Sequence, residues 1–239
     1  VIEQPNILLV YPKTVDMGYA SLQIQYDQGA VATKYSIVKD TSMVTGVRDY
    51  QAGDRFSWIH WKSFAKNGEL RTKEFEDRQS QSLFVTMDCA TETNFEEVVE
   101  LTASMLKSIV KRQGDVAFLS GGESRVFYPA VRTEMQLEKV MQHLAVVQPN
   151  VVSPMEALLR NERQLNNSIL ILITGQVTDE LKAFLMTSSK YARAVICFVV
   201  VSKEHYKQQQ ATTSKFVNAK MVYVTKEMFS KAFAEVNKP

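Results

Sequence analysis

The sequence predicts an α/β protein whose main body is a mostly parallel sheet with helices on both faces. Three observations carry this. From about residue 82 onward, short β-branched runs alternate with stretches of helical periodicity, the order that a crossover-connected sheet requires. Most of those runs are apolar at consecutive positions, as strands covered on both faces must be. The helical stretches open on capping signals, which fixes where they start.

The candidate strands of this body are 82–87, 115–119, 169–174, 194–201 and 221–224. Between the first two, Phe95, Val98, Val99, Thr102, Met105, Leu106 and Ile109 recur at three- and four-residue spacing, so one stripe of a long helix faces the sheet. Thr93 with Glu96 forms a T-x-x-E capping box before it. The device recurs at Thr133 with Gln136, and at Ser153 with Glu156, where Pro154 takes the first helical position. Thr178 ahead of Asp179 and Glu180 opens a further helix with acidic groups at its positive end. A last helix is expected over 227–236.

Residues 1–81 read differently. Short strands at 6–11, 22–26 and 33–38 are separated by Pro, Asp and Gly positions, with no long helix among them. The predicted organisation is a β-rich module over 1–81, containing an unusually dense segment at 47–75, followed by the α/β domain over 82–239. No Pro/Gly/Ser linker separates them, so they are expected to pack together.

Composition bounds the function. The 239 residues are 45% hydrophobic and 23% charged, enough apolar side chain for a substantial core, and disorder is excluded. Twenty-eight Lys and Arg against 26 Asp and Glu leave a net charge of +2, which supplies no global field for nucleic acid or an anionic membrane. The longest apolar run, 194–201, has eight residues, far short of the roughly 20 that cross a bilayer. The chain opens at Val1 without a basic-then-apolar leader and is expected to be part of a longer protein. Cys89 and Cys197 lie in or beside apolar runs at a spacing that suits neither zinc nor a disulfide framework, so two buried thiols are expected.

Chemistry concentrates in segment 47–75. Gly53 permits a tight turn, Asp54 is placed to cap a short helix, and Asn67-Gly68 suits a left-handed stop. Trp58, Ile59, Trp61, Phe64 and Ala65 are expected on its packed side, with Arg48, Asp49 and Asp54 in internal ion pairs. Two other readings of the segment exist. His60 beside Asp49 and Asp54 is a conceivable acid–base group, and Trp58 and Trp61 near Arg48, Arg55 and Lys62 could stack on bases. Neither has further support: the sequence holds no G-x-S-x-G nucleophile, phosphate loop, G-x-G-x-x-G or H-E-x-x-H.

The run Arg48-Asp49-Tyr50-Gln51-Ala52-Gly53-Asp54, followed by Ile59-His60-Trp61-Lys62 and Gly68-Glu69-Leu70, resembles the signature of the bacterial family labelled domain of unknown function 58. Ser57 departs from it, standing where many members carry Arg. The α/β portion is similar to the von Willebrand factor A fold, a Rossmann-type sheet. The resemblance implies an anchor of N-terminal membrane helices, a place on the cytoplasmic face of the cell membrane, and a MoxR-type AAA+ ATPase as partner.

Von Willebrand A domains often bind Mg²⁺ through D-x-S-x-S after the first strand, a Thr from a later loop and an Asp after a central strand. Here the first strand is followed by Asp88-Cys89-Ala90-Thr91-Glu92, so Ala90 and Glu92 replace both serines. Val152 or Ser153 falls where the Thr would be, and Gly175, followed by Gln176, where the Asp would be. A hard cation needs several oxygens in near-octahedral array, so neither a metal nor another cofactor is expected. The function expected is a non-enzymatic interaction scaffold. Its partner-docking face comprises Asp88, Ala90, Glu92, Ser153, Gly175 and Gln176, at the strand C-terminal ends where open α/β sheets place their sites. The rival is an enzyme centred on Asp49, Asp54 and His60.

Overall fold

The structure is a computed structural model that describes residues 8–18, 22–24, 33–35, 44–51, 59–75, 82–90, 94–112, 114–122, 124–149, 155–160, 162–209 and 219–236. Its contacts divide the chain into a larger unit, residues 1–37 with 81–239, and a smaller one, residues 38–80. The first 37 residues thus group with the α/β body, whereas the sequence placed all of 1–81 in one β-rich module.

In the larger unit, β1 (Leu22–Ile24) pairs antiparallel with β2 (Thr33–Tyr35). The strand expected at 6–11 is absent over its described part: residues 8–11 have no regular structure, and Leu8 and Val10 are exposed. The same segment continues as a strap along α2 (Phe95–Lys111). The Val15 amide donates to Ser104 Oγ at 3.0 Å, Ser108 Oγ donates to the Met17 carbonyl at 3.3 Å, and Met17 is buried. Two buried serines on α2 thus hold the strap: Ser104, whose hydroxyl also donates to the Glu100 carbonyl at 2.6 Å, and Ser108.

In the smaller unit, β3 (Val44–Asp49) pairs antiparallel with β4 (Arg71–Phe75), and α1 (Trp61–Asn67) lies between them in sequence. The main sheet begins with β5 (Ser82–Met87), the strand predicted at 82–87. Its other strands are β6 (Val116–Gly121), β7 (Arg125–Val131), β8 (Ser168–Thr174), β9 (Ala194–Val200) and β10 (Ala219–Val224). The helices around it are α2, α3 (Glu134–Leu144), α4 (Met155–Arg160), α5 (Asp179–Thr187), α6 (Lys203–Gln209) and α7 (Ala232–Val236).

The six strands lie in the order β10-β9-β8-β5-β6-β7, all parallel except β7. This is a mostly parallel α/β sheet, as predicted, and its topology is compatible with the von Willebrand A type. β7 was not predicted. It is a half-exposed edge strand carrying Pro129, which removes a ladder donor and weakens the strand signal in sequence. The chain winds outward through β6 and β7 in one direction and through β9 and β10 in the other, so the topological switch falls between β5 and β8.

Alternate strand residues feed two apolar layers. Leu83, Val85 and Met87 face α2, α3 and α7, while Phe84 joins Leu172, Phe184 and Leu185 on the side of α4 and α5. The capping box at Thr133 and Gln136 is formed, and Thr178 Oγ1 accepts from the Leu181 amide at 3.1 Å. Thr93, Ser153 and Pro154 lie outside the described residues. The N-cap of α2 is Asn94, with φ 59° and no side-chain cap; its amide nitrogen donates instead to the Val200 carbonyl at 3.3 Å. The helix predicted at 227–236 begins as a 3-10 turn over 226–231 before α7. No helix among the described residues is long and apolar enough to cross a membrane.

Candidate functional site

The switch point fixes where a site can form: the connections leaving adjacent parallel strands β5 and β8 run to helices on opposite faces of the sheet, α2 and α5, and leave a crevice at the strand C-terminal ends. Asp88 is the first residue past β5. Its amide donates to the Ile173 carbonyl at 2.8 Å, which ties the strand exit to β8. Its carboxylate is held on both oxygens. Oδ1 accepts from the Ala90 amide at 2.9 Å, and Oδ2 accepts from the Thr174 hydroxyl at 2.7 Å. Thr174 Oγ1 in turn accepts from the Gln176 amide at 3.2 Å and lies 2.9 Å from the Gln176 carbonyl, a second acceptor for its one proton. The ionised carboxylate is the stronger acceptor. Thr174 is fully buried, so Asp88, half-buried, is positioned by a group with no freedom to move.

Sequence reasoning passed over Thr174, because the family pattern drew attention to Gly175. The available signal was a hydroxyl at the last position of an otherwise apolar central strand. Of the expected docking residues, the structure brings Asp88, Ala90 and Gln176 to one cleft, with Gly175 between Thr174 and Gln176; Glu92 and Ser153 lie outside the described residues. The cleft has a volume of about 280 Å³. Met155, Leu172 and Leu181 supply its apolar surface, and Asp88, Glu156 and Glu180 line it with carboxylates.

This donor set does not suit a hard cation. Among the described residues Asp88 brings one carboxylate and Thr174 the one hydroxyl bonded to it, and no three His, Cys, Asp or Glu side chains could share an ion.

Nearby, Cys89 is buried, and burial pushes its thiol up to about 11. Cys197 is fully buried and shifted the same way. At the end of β6, Ser120 Oγ lies 2.7 Å from His143 Nε2, and burial lowers the imidazole's proton affinity. Ser120 is fully buried, which makes this a satisfied core pair and no exposed nucleophile.

Segment 47–75 is built by β3, α1 and β4. Tyr50 N donates to the Leu70 carbonyl at 3.1 Å and His60 N to the Arg71 carbonyl at 2.8 Å, while Ile59, buried, bridges Thr72. His60 caps α1: Nδ1 accepts from the Ser63 amide at 3.3 Å and sits 2.7 Å from Ser63 Oγ. Gly68 ends the helix at φ 72°, the expected left-handed stop. Of the described residues expected on the packed side, Ile59 is buried and Trp61, Phe64 and Ala65 are exposed. Trp61 is 57% exposed, and α1 contains no buried residue. Asp49 is likewise a surface group, its side chain 93% exposed and 3.8 Å from Arg71 Nε, while Arg48 Nη1 donates to the Asp49 carbonyl at 3.0 Å. Gly53, Asp54 and Trp58 lie outside the described residues. No hydrogen bond or ion pair joins Asp49 to His60 among the described residues.

The family model for the protein of unknown function DUF58 matches residues 46–208. The chain belongs to that family. The match takes in the signature segment, Asp88, Thr174 and the whole cleft. The uncharacterised protein YeaD of Bacillus subtilis (strain 168) is 30% identical over 182 residues, covering 75% of this chain and 46% of YeaD, so the chain spans less than half of that relative.

Proposed function

We propose that this chain is a non-enzymatic docking scaffold that receives a partner protein at the cleft formed by the ends of β5 and β8. The observation that carries the reading is the capture of Asp88. The carboxylate that would anchor a metal in a von Willebrand A site is instead bonded to Thr174 and Ala90, beside an open cleft with an apolar floor. Such an arrangement offers shape and charge for recognition. The expected partner, from the family resemblance, is a MoxR-type AAA+ ATPase, with the chain held at the cytoplasmic face of the cell membrane by a segment of its parent and serving the assembly or maturation of complexes.

Co-purification of the tagged full-length parent from native cells tests this. A MoxR-type ATPase enriched by the wild type and lost with Gln176→Arg, which crowds the exposed mouth of the cleft, is the expected result. Failure to enrich any such ATPase overturns the partner; enrichment indifferent to Gln176→Arg overturns the face. Calorimetric titration with Mg²⁺ is expected to show no stoichiometric binding, and binding abolished by Asp88→Ala would overturn the metal-free reading.

A further inference from the structure

The geometry points to a recognition pocket for one basic side chain, an arginine or lysine carried by the docking partner, in the cleft between β5, β8, α4 and α5. This rests on the docking reading above and adds the chemistry of the group received. Size comes first. At about 280 Å³ the cleft stands at the lower edge of the roughly 300–1,000 Å³ of sites that enclose a small molecule, and it has room for a single inserted side chain.

Its lining has the two parts such a side chain needs. Met155, Leu172 and Leu181, all buried, give an apolar surface for the aliphatic stem. Asp88, Glu156 and Glu180 give carboxylates for the charged head, and no Lys, Arg or His stands among the described lining residues. Neither Glu156 nor Glu180 forms an ion pair among the described residues, whereas the adjacent Asp179 is taken by Lys182 at 2.8 Å.

A competing influence has to be weighed. Glu156 and Glu180 lie in the first turns of α4 and α5, whose N-termini each carry about half a positive charge. Two such ends offset about one of the three carboxylate charges, and the cleft keeps an excess of roughly two negative charges. A cation is therefore favoured over an anion. Asp88, fixed by Thr174 and Ala90, retains a second lone pair on each oxygen for an incoming donor.

The test uses the intact chain with isotope-labelled methyl groups and amides, and two capped pentapeptides: Gly-Gly-Arg-Gly-Gly and its counterpart with citrulline, which keeps the shape and lacks the charge. The arginine peptide is expected to shift the Met155, Leu172 and Leu181 methyl signals and the Gln176 amide saturably. The citrulline peptide should bind about tenfold more weakly or less. Glu156→Gln and Glu180→Gln, both conservative and outside the core, should each weaken the arginine peptide about two- to fivefold with spectra otherwise unchanged. No saturable shift, or equal shifts with both peptides, overturns the proposal. If that occurs while the partner's capture remains sensitive to Gln176→Arg, docking stands and only the preference for a basic group falls; if both fail, docking falls with it.

Discussion

The buried hydroxyl of Thr174 donates to Asp88 Oδ2 at 2.7 Å and joins the exits of two neighbouring parallel strands. Because the acceptor is a carboxylate, this bond belongs to the stronger class. Thr174→Val should destabilise the larger unit by about 1–3 kcal/mol, while Thr174→Ser, which keeps the donor, should lose less. Denaturant unfolding of the three proteins checks it, and equal losses would mean that the methyl group and not the hydroxyl matters.

His143 supplies a pH dependence with a definite sign. Its folded-state proton affinity lies below the ordinary value of 6.5 because burial disfavours the imidazolium. The unfolded chain therefore binds the proton more readily, so this group's contribution is complete above about pH 6.5 and is lost as the pH falls through that value toward the lower folded one. The His143→Gln variant keeps a polar partner for Ser120 and cannot titrate. Its stability between about pH 7 and 5 should fall less steeply than the wild type's.

Gly68 closes α1 at φ 72°, where a side chain is strained, although nothing stands within 4 Å of the position a Cβ would take. Gly68→Ala should cost about 1 kcal/mol, and Gly68→Asn less, since asparagine tolerates the left-handed region. Both tryptophans of the chain, Trp58 and Trp61, belong to the smaller unit, so their fluorescence during unfolding reports this change selectively.

Thiol chemistry is a further check. Cys89, held up at about 11, and Cys197, also raised, are both buried, so neither should react with an aromatic disulfide reagent at about pH 8 while the protein is folded. Both should react at once in denaturant. Rapid labelling of Cys89 in the native state would show that the turn after β5 opens readily.

The sheet was legible in sequence because its strands are covered twice over: Ile169 to Thr174 and Ala194 to Val200 are buried at every position, and such runs have few other interpretations. Capping chemistry marked Thr133 and Thr178 for the same reason, since orphaned amides select a small set of side chains. What escaped depended on partners distant in the chain. The strap is ordered by serines on α2, about ninety residues away, and its first part, within 6–11, reads as a strand when taken alone. Thr174 escaped because its value comes from Asp88, on a different strand. Asp88 itself was found from the family pattern, but only the geometry shows what holds its carboxylate.

The Gly18 amide donates to the Ser230 carbonyl at 3.0 Å, so the strap that buries Met17 leans on the turn before α7. During synthesis, therefore, Met17 leaves the ribosome long before the turn that helps shelter it exists. The strap can settle on α2 as soon as that helix is made, but its bond to Ser230 cannot form until nearly the whole chain has been synthesised.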